Sequence, residues 1–245
     1  MPQDHHEIHL EAYITQKLVE QGWLEGQTHD YDIERALYPE DVVAWVQNTQ
    51  PEQWHKLVDL NKERAQTVLL DRLVKALNDS NGGTIHTLRE GVEIAGIVII
   101  DLSQKQPVDQ RNAKLLHDYA ANRLRVVRQL KYSKHRAFEI DLAFFINGIP
   151  VATVELKTDF TQDVEAAMRQ YRHDRLPEKE PLLTYKRGAL VHFAMSDSDI
   201  RMTTQLAGAN TFFLPFNQGN DGKAGNPARS DGEYPIAYFW QQVCQ

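Results

Sequence analysis

Apolar positions recur at helical spacing in the first third of the chain and at strand spacing beyond it. Residues 7–21 (EIHLEAYITQKLVEQ) carry Leu10, Ile14, Leu18 and Val19 on one side, and Gly22 stops the run, which predicts an amphipathic helix. Between residues 40 and 78 the period continues through PEDVVAWVQ, PEQWHKLV and NKERAQTVLLDRLVKAL. Pro39 and Pro51 stand where a first helical turn tolerates a missing N–H, so two or three further helices are predicted there. NDSNGGT then punctuates the chain. Past it, the pattern predicts strands over 84–88, 92–100, 124–132, 138–146, 151–157 and 190–195, with helices near 112–121 and 161–175. The expected class is α/β, a mixed central sheet flanked by helices with a helical N-terminal portion.

Asn147-Gly148 is the strongest hairpin signal, and it makes 138-FEIDLAFFI-146 and 150-PVATVELK-157 antiparallel neighbours. Three charges, Asp141, Glu155 and Lys157, interrupt these otherwise apolar runs, where a charge is costly unless paired, solvated or metal-bound. A two-residue turn pairing Ile146 with Ile149 would set Asp141 against Val154 and scatter the charges over both faces. One extra residue, from a three-residue connection or a bulge at Ile149 or Pro150, would set Asp141 opposite Glu155, with Lys157 two residues on along the same face. That register gathers Ile140, Leu142, Phe144, Ile146, Ala152, Val154 and Leu156 on the other face without a charge, so the hydrophobic pattern favours it. Opposed carboxylates, with Cβ atoms about 4.5–5.5 Å apart, destabilise a sheet unless a cation lies between them. Mg²⁺, held by one or two carboxylates and completed by water and phosphate oxygens, would supply that charge. Lys157 could then orient or help deprotonate an attacking water and meet charge developing on a phosphate. A surface ion-pair cluster would present the same three residues, so the spacing alone does not decide.

Composition narrows the partners. The 245 residues carry a net charge of −7, which excludes a general-purpose nucleic-acid coat. Any DNA contact must be local, and a basic strip exists: Arg111, Lys114, Arg123, Arg125, Arg128, Lys131, Lys134 and Arg136 against the acidic Asp118. Arg123, Arg125, Arg128, Lys131, Lys134 and Arg136 are the candidate DNA contacts, with a solvated helix and strand face as the alternative. The single cysteine, Cys244, fits a reducing, cytoplasmic setting. The N-terminus lacks an export-type apolar run, and IAGIVII (94–100), broken by Gly96, is far short of the roughly 20 residues a membrane helix needs. No GxxxxGK[ST] occurs, so the glycines of 217–233 predict a flexible connector rather than a phosphate loop. His5, His6 and His9 read as a solvated terminus, and Trp23, Trp45, Trp54 and Trp240 as core.

D141…E155-L-K157, split over two strands, resembles the PD-(D/E)xK nuclease motif, with Glu139-Ile140 where the naming proline would stand. More narrowly, QGW (to Trp23), NRLRVVRQLKY (122–132), DLAFFINGIPVATVELK (141–157), VEAAMRQYRHDRLP (164–177) and TFFLPFNQGNDGKAGNP (211–227) together resemble the N-terminal part of the restriction (R) subunit of type I restriction-modification enzymes. The resemblance implies a restriction-endonuclease-like fold and Mg²⁺-dependent endonucleolytic cleavage of double-stranded DNA, the activity of a type I site-specific deoxyribonuclease. It assigns Asp141 and Glu155 to the metal and Lys157 to catalysis. Relatives with RecB-like sites place a Gln and, four residues on, a Tyr on the following helix. Here Gln170 is followed directly by Tyr171, with Asp174 at the tyrosine spacing, so Gln170 is carried to the site and Tyr171 is left between site and core. Glu63 and Glu93 are candidates for a further acidic ligand. The expected organisation is a nuclease domain over 1–210 and a connector over 211–245 leading to an absent translocase motor, through which ATP would act. The implied partners are DNA and the methyltransferase (M) and specificity (S) subunits. The rival reading is an inactive DNA-holding or subunit-docking module.

Overall fold

The computed structural model describes residues 3–94, 99–158 and 163–245, the first four of these by backbone alone. Helix α1 (Gln3–Glu20) leads into a three-residue strand β1 (Leu24–Gly26). Helices α2 (Pro39–Thr49), α3 (Pro51–Asn61) and α4 (Ala65–Asn78) follow, each of the first two opening on its proline. They bury Leu37, Trp45, Leu57, Leu69 and Leu73 among themselves and against Ile149. Helix α5 is Thr84–Glu90 and α6 is Ala113–Ala120, the latter capped by Asn112, whose side chain accepts the Leu115 N–H.

The sheet runs β1, β2 (Leu124–Lys131), β3 (Glu139–Ile146), β4 (Ile149–Leu156), β5 (Val191–Met195), β6 (Ile200–Thr203), β7 (Leu214–Pro215). β1 lies parallel to β2 and β4 parallel to β5, and the other neighbours are antiparallel. Helix α7 (Val164–His173) makes the crossover from β4 to β5 and buries Val164, Ala167, Met168 and Tyr171 on one face of the sheet. The other face is covered by Leu10, Ile14 and Leu18 of α1 and by Ile236–Trp240.

Several expectations change here. Residues 84–88 are helical rather than a strand: Gly83 (φ +91°) and Gly91 (φ +73°) bracket a short helix whose buried Thr84 donates to the Arg187 and Gly188 carbonyls. The β-branched Thr84, Ile85 and Thr87 had imitated strand alternation. Of 92–100 the described residues form one antiparallel bridge, Val92 with Ile100, and 95–98 lie outside them. The same holds for 161–162 at the expected start of α7. The segment after 210, expected as a connector, packs on the rest of the fold. β7 pairs with β6, the Tyr238 hydroxyl donates to the Phe216 carbonyl (2.5 Å), and Phe239 packs edge-on against Phe144 and Phe193. Trp23, Trp45 and Trp240 are buried in the core and Trp54 packs at its margin. His9 is exposed on α1, while the side chains of His5 and His6 lie outside the described ones.

The β3–β4 hairpin contains both of the alternatives left open by the sequence. Asn147 (φ +48°) and Gly148 (φ +80°) make a two-residue turn that pairs Ile146 with Ile149 and Phe145 with Pro150. A Cβ on Gly148 would stand 2.3 Å from the Tyr38 carbonyl oxygen, so both its φ and the close approach require glycine. Asn147 is buried and fully used, accepting the Arg123 N–H (2.7 Å) and donating to Leu102 (3.0 Å) and Asn122 (2.9 Å). The register then shifts by one: Val151 is extra, Phe144 faces Ala152 and Leu142 faces Val154. Continued by one residue, that pairing brings Asp141 level with Glu155.

Candidate active site

Asp141 lies where β3 and β4 part. Their ladder ends at Leu142–Val154, and the Leu156 N–H donates instead to Asp141 Oδ2 at 2.7 Å, while the Lys157 N–H donates to Met195 of β5 at 2.8 Å. The opened strands border a cavity of about 580 Å³, lined by Asp141, Lys157 and Gln170 and, from the first helix, by Glu7 and Glu11. The structure thus brings the sequence-selected Asp141, Lys157 and Gln170 to one cavity, with Glu155 directly behind it.

Glu155 is fully buried. Its Oε1 accepts from Arg175 Nε at 2.5 Å and its Oε2 from Arg175 Nη2 at 3.4 Å. Burial, and next the charge of Asp141, push its carboxyl up to about 8, with Arg175 opposing. Burial likewise pushes Asp141 up to about 6, against the Leu156 N–H and Lys157. For both acids, burial therefore outweighs the positive charge that Arg175 and Lys157 bring. Lys157 donates from Nζ to Glu7 Oε2 at 3.0 Å. Gln170 is half-buried, and its Oε1 is buried with no hydrogen-bond partner among the described residues. Two carboxylates short of a cation and an orphaned amide oxygen, all hard oxygen donors, fit a divalent ion of the Mg²⁺ type. Among the described residues no group of three His, Cys, Asp or Glu side chains converges for a metal, so the candidate donor set is the Asp141–Glu155 pair with Gln170 beside it.

Several residues of the site were not read from the sequence. Glu7 and Glu11, four apart on α1, face it together. Glu11 is almost wholly buried and accepts from Arg128 Nε at 2.7 Å and from Gln129 Nε2, whose amide also approaches Asp141 Oδ1 at 3.4 Å. Gln129 takes a left-handed φ of +45°. The alternation of β2 and β3 reverses around it, so Ile140 joins Val127, Leu130 and Ala143 on the α7 side, not the Leu142–Phe144 layer the pattern assigned it to. The E-xxx-E spacing at the edge of an amphipathic helix was the available signal. Glu63 and Glu93 are corrected as the further acids: Glu63 is exposed in a 3₁₀ turn and Glu93 lines a separate groove with Arg72, Lys75 and His86. Tyr171 belongs to the core, its hydroxyl 2.8 Å from Thr153 Oγ1 and its ring against His192 and Phe213.

The basic strip divides. Arg125 is buried and holds Asp41 through Nε (2.6 Å) and Nη2 (2.8 Å), Arg123 joins it through Nε (2.5 Å), and Arg128 is taken by Glu11. These three are engaged within the fold, and Arg125 is not accessible to a phosphate. Lys131, Lys134 and Arg136 are exposed beside the cavity rim at Ala137–Glu139. Their partners are Glu139 at 3.7 Å, Glu34, and the Phe138 ring at 5.5 Å, respectively.

A seven-stranded mixed sheet with flanking helices, a helical N-terminal part and acids gathered where two central strands part is the architecture of a restriction-endonuclease-like protein. The chain belongs to the family described as Type I restriction enzyme R protein N terminus (HSDR_N), which it matches over residues 6–211. No curated protein matches it. None of the described helices is long and apolar enough to cross a membrane.

Proposed function

We propose that this chain is the Mg²⁺-dependent endonuclease region of a type I restriction enzyme R subunit, a member of the PD-(D/E)xK group that hydrolyses phosphodiester bonds of double-stranded DNA. The observation that carries the reading is the bulge-set register, which levels Asp141 with Glu155 and sends Lys157 into the same cavity. Asp141 and Glu155 would hold the ion, with Gln170 Oε1 available beside them. The bound ion would supply Lewis-acid charge to a phosphate oxygen and lower the pKa of a water. Lys157, released from Glu7, orients the attacking water or meets the charge growing on the phosphate. Lys131, Lys134 and Arg136 hold the DNA backbone at the rim. In the full assembly an ATP-driven motor and the methyltransferase and specificity subunits would deliver the duplex, a tethering that raises effective concentration. The test is DNA cutting by the assembled enzyme with and without Mg²⁺. Mg²⁺-dependent cutting that Asp141→Ala eliminates is the expected result, and cutting that survives Asp141→Ala refutes the reading.

A second reading, a DNA-holding or docking module with an idle site, draws on the Arg175–Glu155 ion pair, which neutralises one of the two acids. Retained translocation and DNA binding with no cutting by the wild-type assembly would favour it.

A further inference from the structure

We propose that Arg175 is a resident counter-cation: it holds Glu155 in the metal-free protein and leaves it when a divalent ion binds between Asp141 and Glu155. This rests on the reading of those two carboxylates as metal ligands. Arg175 lies just past α7, its N–H donating to the Gln170 carbonyl at 3.1 Å, and its side chain is 7% exposed. The grip on Glu155 is uneven, close through Nε at 2.5 Å and loose through Nη2 at 3.4 Å. Among the described residues no other cation is in ion-pair contact with Glu155, because the Lys157 ammonium is taken by Glu7.

A guanidinium in that place balances a buried carboxylate that would otherwise face Asp141 unrelieved. It also puts a positive charge against the space a metal ion would enter. A divalent ion on the same carboxylate would meet that like charge at close range in a site shielded from water, so the two cations compete. The arginine has somewhere to go. Its Cζ is 5.3 Å from the Phe138 ring, whose face can carry a guanidinium, and it already lines the cavity beside Asp141, Lys157 and Gln170. Once released, its forked donors would face a phosphate oxygen in that cavity. Arg175 acts through Glu155 and is therefore a positioning residue, one that holds the acid in place until the ion arrives.

The test uses the whole chain and measures Mn²⁺ binding by the loss of the free-ion electron paramagnetic signal. Arg175→Met removes the charge but keeps a buried apolar stem. It is expected to tighten Mn²⁺ binding by about tenfold or more, with Arg175→Lys remaining within about threefold of the parent. A merely structural arginine predicts the reverse, weaker binding in both variants, and unchanged or weaker binding by folded Arg175→Met overturns the proposal. The parent supplies a check that survives a failure of either variant to fold. Titrated with Mg²⁺, the carboxylate-protected Arg175 Nε–H resonance should disappear or move to a solvent-exposed position, and its retention at saturation overturns the proposal. Asp141→Asn separates the two layers. If it abolishes Mn²⁺ binding, the metal-site reading stands whatever Arg175 does. If it leaves binding unaltered, or if parent and Arg175→Met alike bind no Mn²⁺, both ideas fall.

Discussion

Asp41 and Glu155 are both fully buried and both receive arginines, yet their surroundings are opposite. Asp41 sits in the first turn of α2, where the helix dipole favours an anion, and it takes three hydrogen bonds from Arg123 and Arg125. Arg125 is itself held, stacked 4.2 Å over Tyr38 and donating to the Glu25 carbonyl at 3.2 Å. Every charge there has its complement. Glu155 has one arginine, a second carboxylate beside it, and a cavity in front. The same chemistry closes a helix onto a sheet in one place and stays short of positive charge in the other. A buried ion pair is thus no sign of function in itself, and the unmet demand beside it is what separates a fastening from a site.

Substitution should expose the contrast most strongly in cleavage. Asp141→Ala or Glu155→Gln is expected to cost the assembled enzyme at least roughly 10⁴-fold in DNA cutting while folding and translocation persist. Asp41→Ala should do the opposite. Breaking that pair strands the buried Arg125 guanidinium together with the part-exposed Arg123 and is expected to remove about 3–5 kcal/mol of stability, measured by urea unfolding. A loss below about 1 kcal/mol would show that Asp41 is no fastening.

The pH response sharpens the same contrast. Asp141 and Glu155, at about 6 and about 8, hold protons more tightly folded than unfolded. Between pH 4 and 8, roughly, the folded protein therefore binds more protons, and metal-free stability should fall as pH rises. Asp141→Asn with Glu155→Gln should flatten that slope, and a parent whose stability climbs over the same range contradicts the assigned environments. Lys157→Arg is expected to bind Mg²⁺ and DNA normally but to lose about 10²-fold in the chemical step, since arginine does not give up a proton near neutral pH. Full single-turnover rates with arginine would reduce Lys157 to a counter-ion. The smallest effect belongs to the rim. Changing Lys131, Lys134 and Arg136 to Ala should lower the salt dependence of DNA binding by about one phosphate per residue and leave stability within about 0.5 kcal/mol. An unaltered slope would move the DNA contact elsewhere.

The sequence announced what is local. Proline starts, helical periods and the Asn147-Gly148 turn all fell within a few residues of their consequences, and the hydrophobic layer identified the register that levels Asp141 with Glu155. The bulge itself, at Val151 rather than at Ile149 or Pro150, was hidden because the sequence fixes how many residues must be absorbed but not where. Glu7 meets Lys157 across 150 positions, and Arg128 meets Glu11 across 117, distances over which no periodicity carries information. The basic strip looked uniform as a string of charges and divided in the fold, because partners such as Asp41 and Glu11 lie on helices far upstream. Ile140 changed sides because Gln129 bends the neighbouring strand, a conformation its residue type does not advertise.

The extra residue at Val151 gives the hairpin something like a reading frame. Losing the bulged residue itself keeps Asp141 level with Glu155, but adding one more residue between Pro150 and Val154 is a frameshift: it turns the glutamate toward the layer of Leu142 and Phe144 and sends Val154 to face Asp141. Adding a second residue returns the glutamate to its own face. Length variation in this hairpin is therefore quantised, and a single added residue should be tolerated only when a second change nearby restores the count.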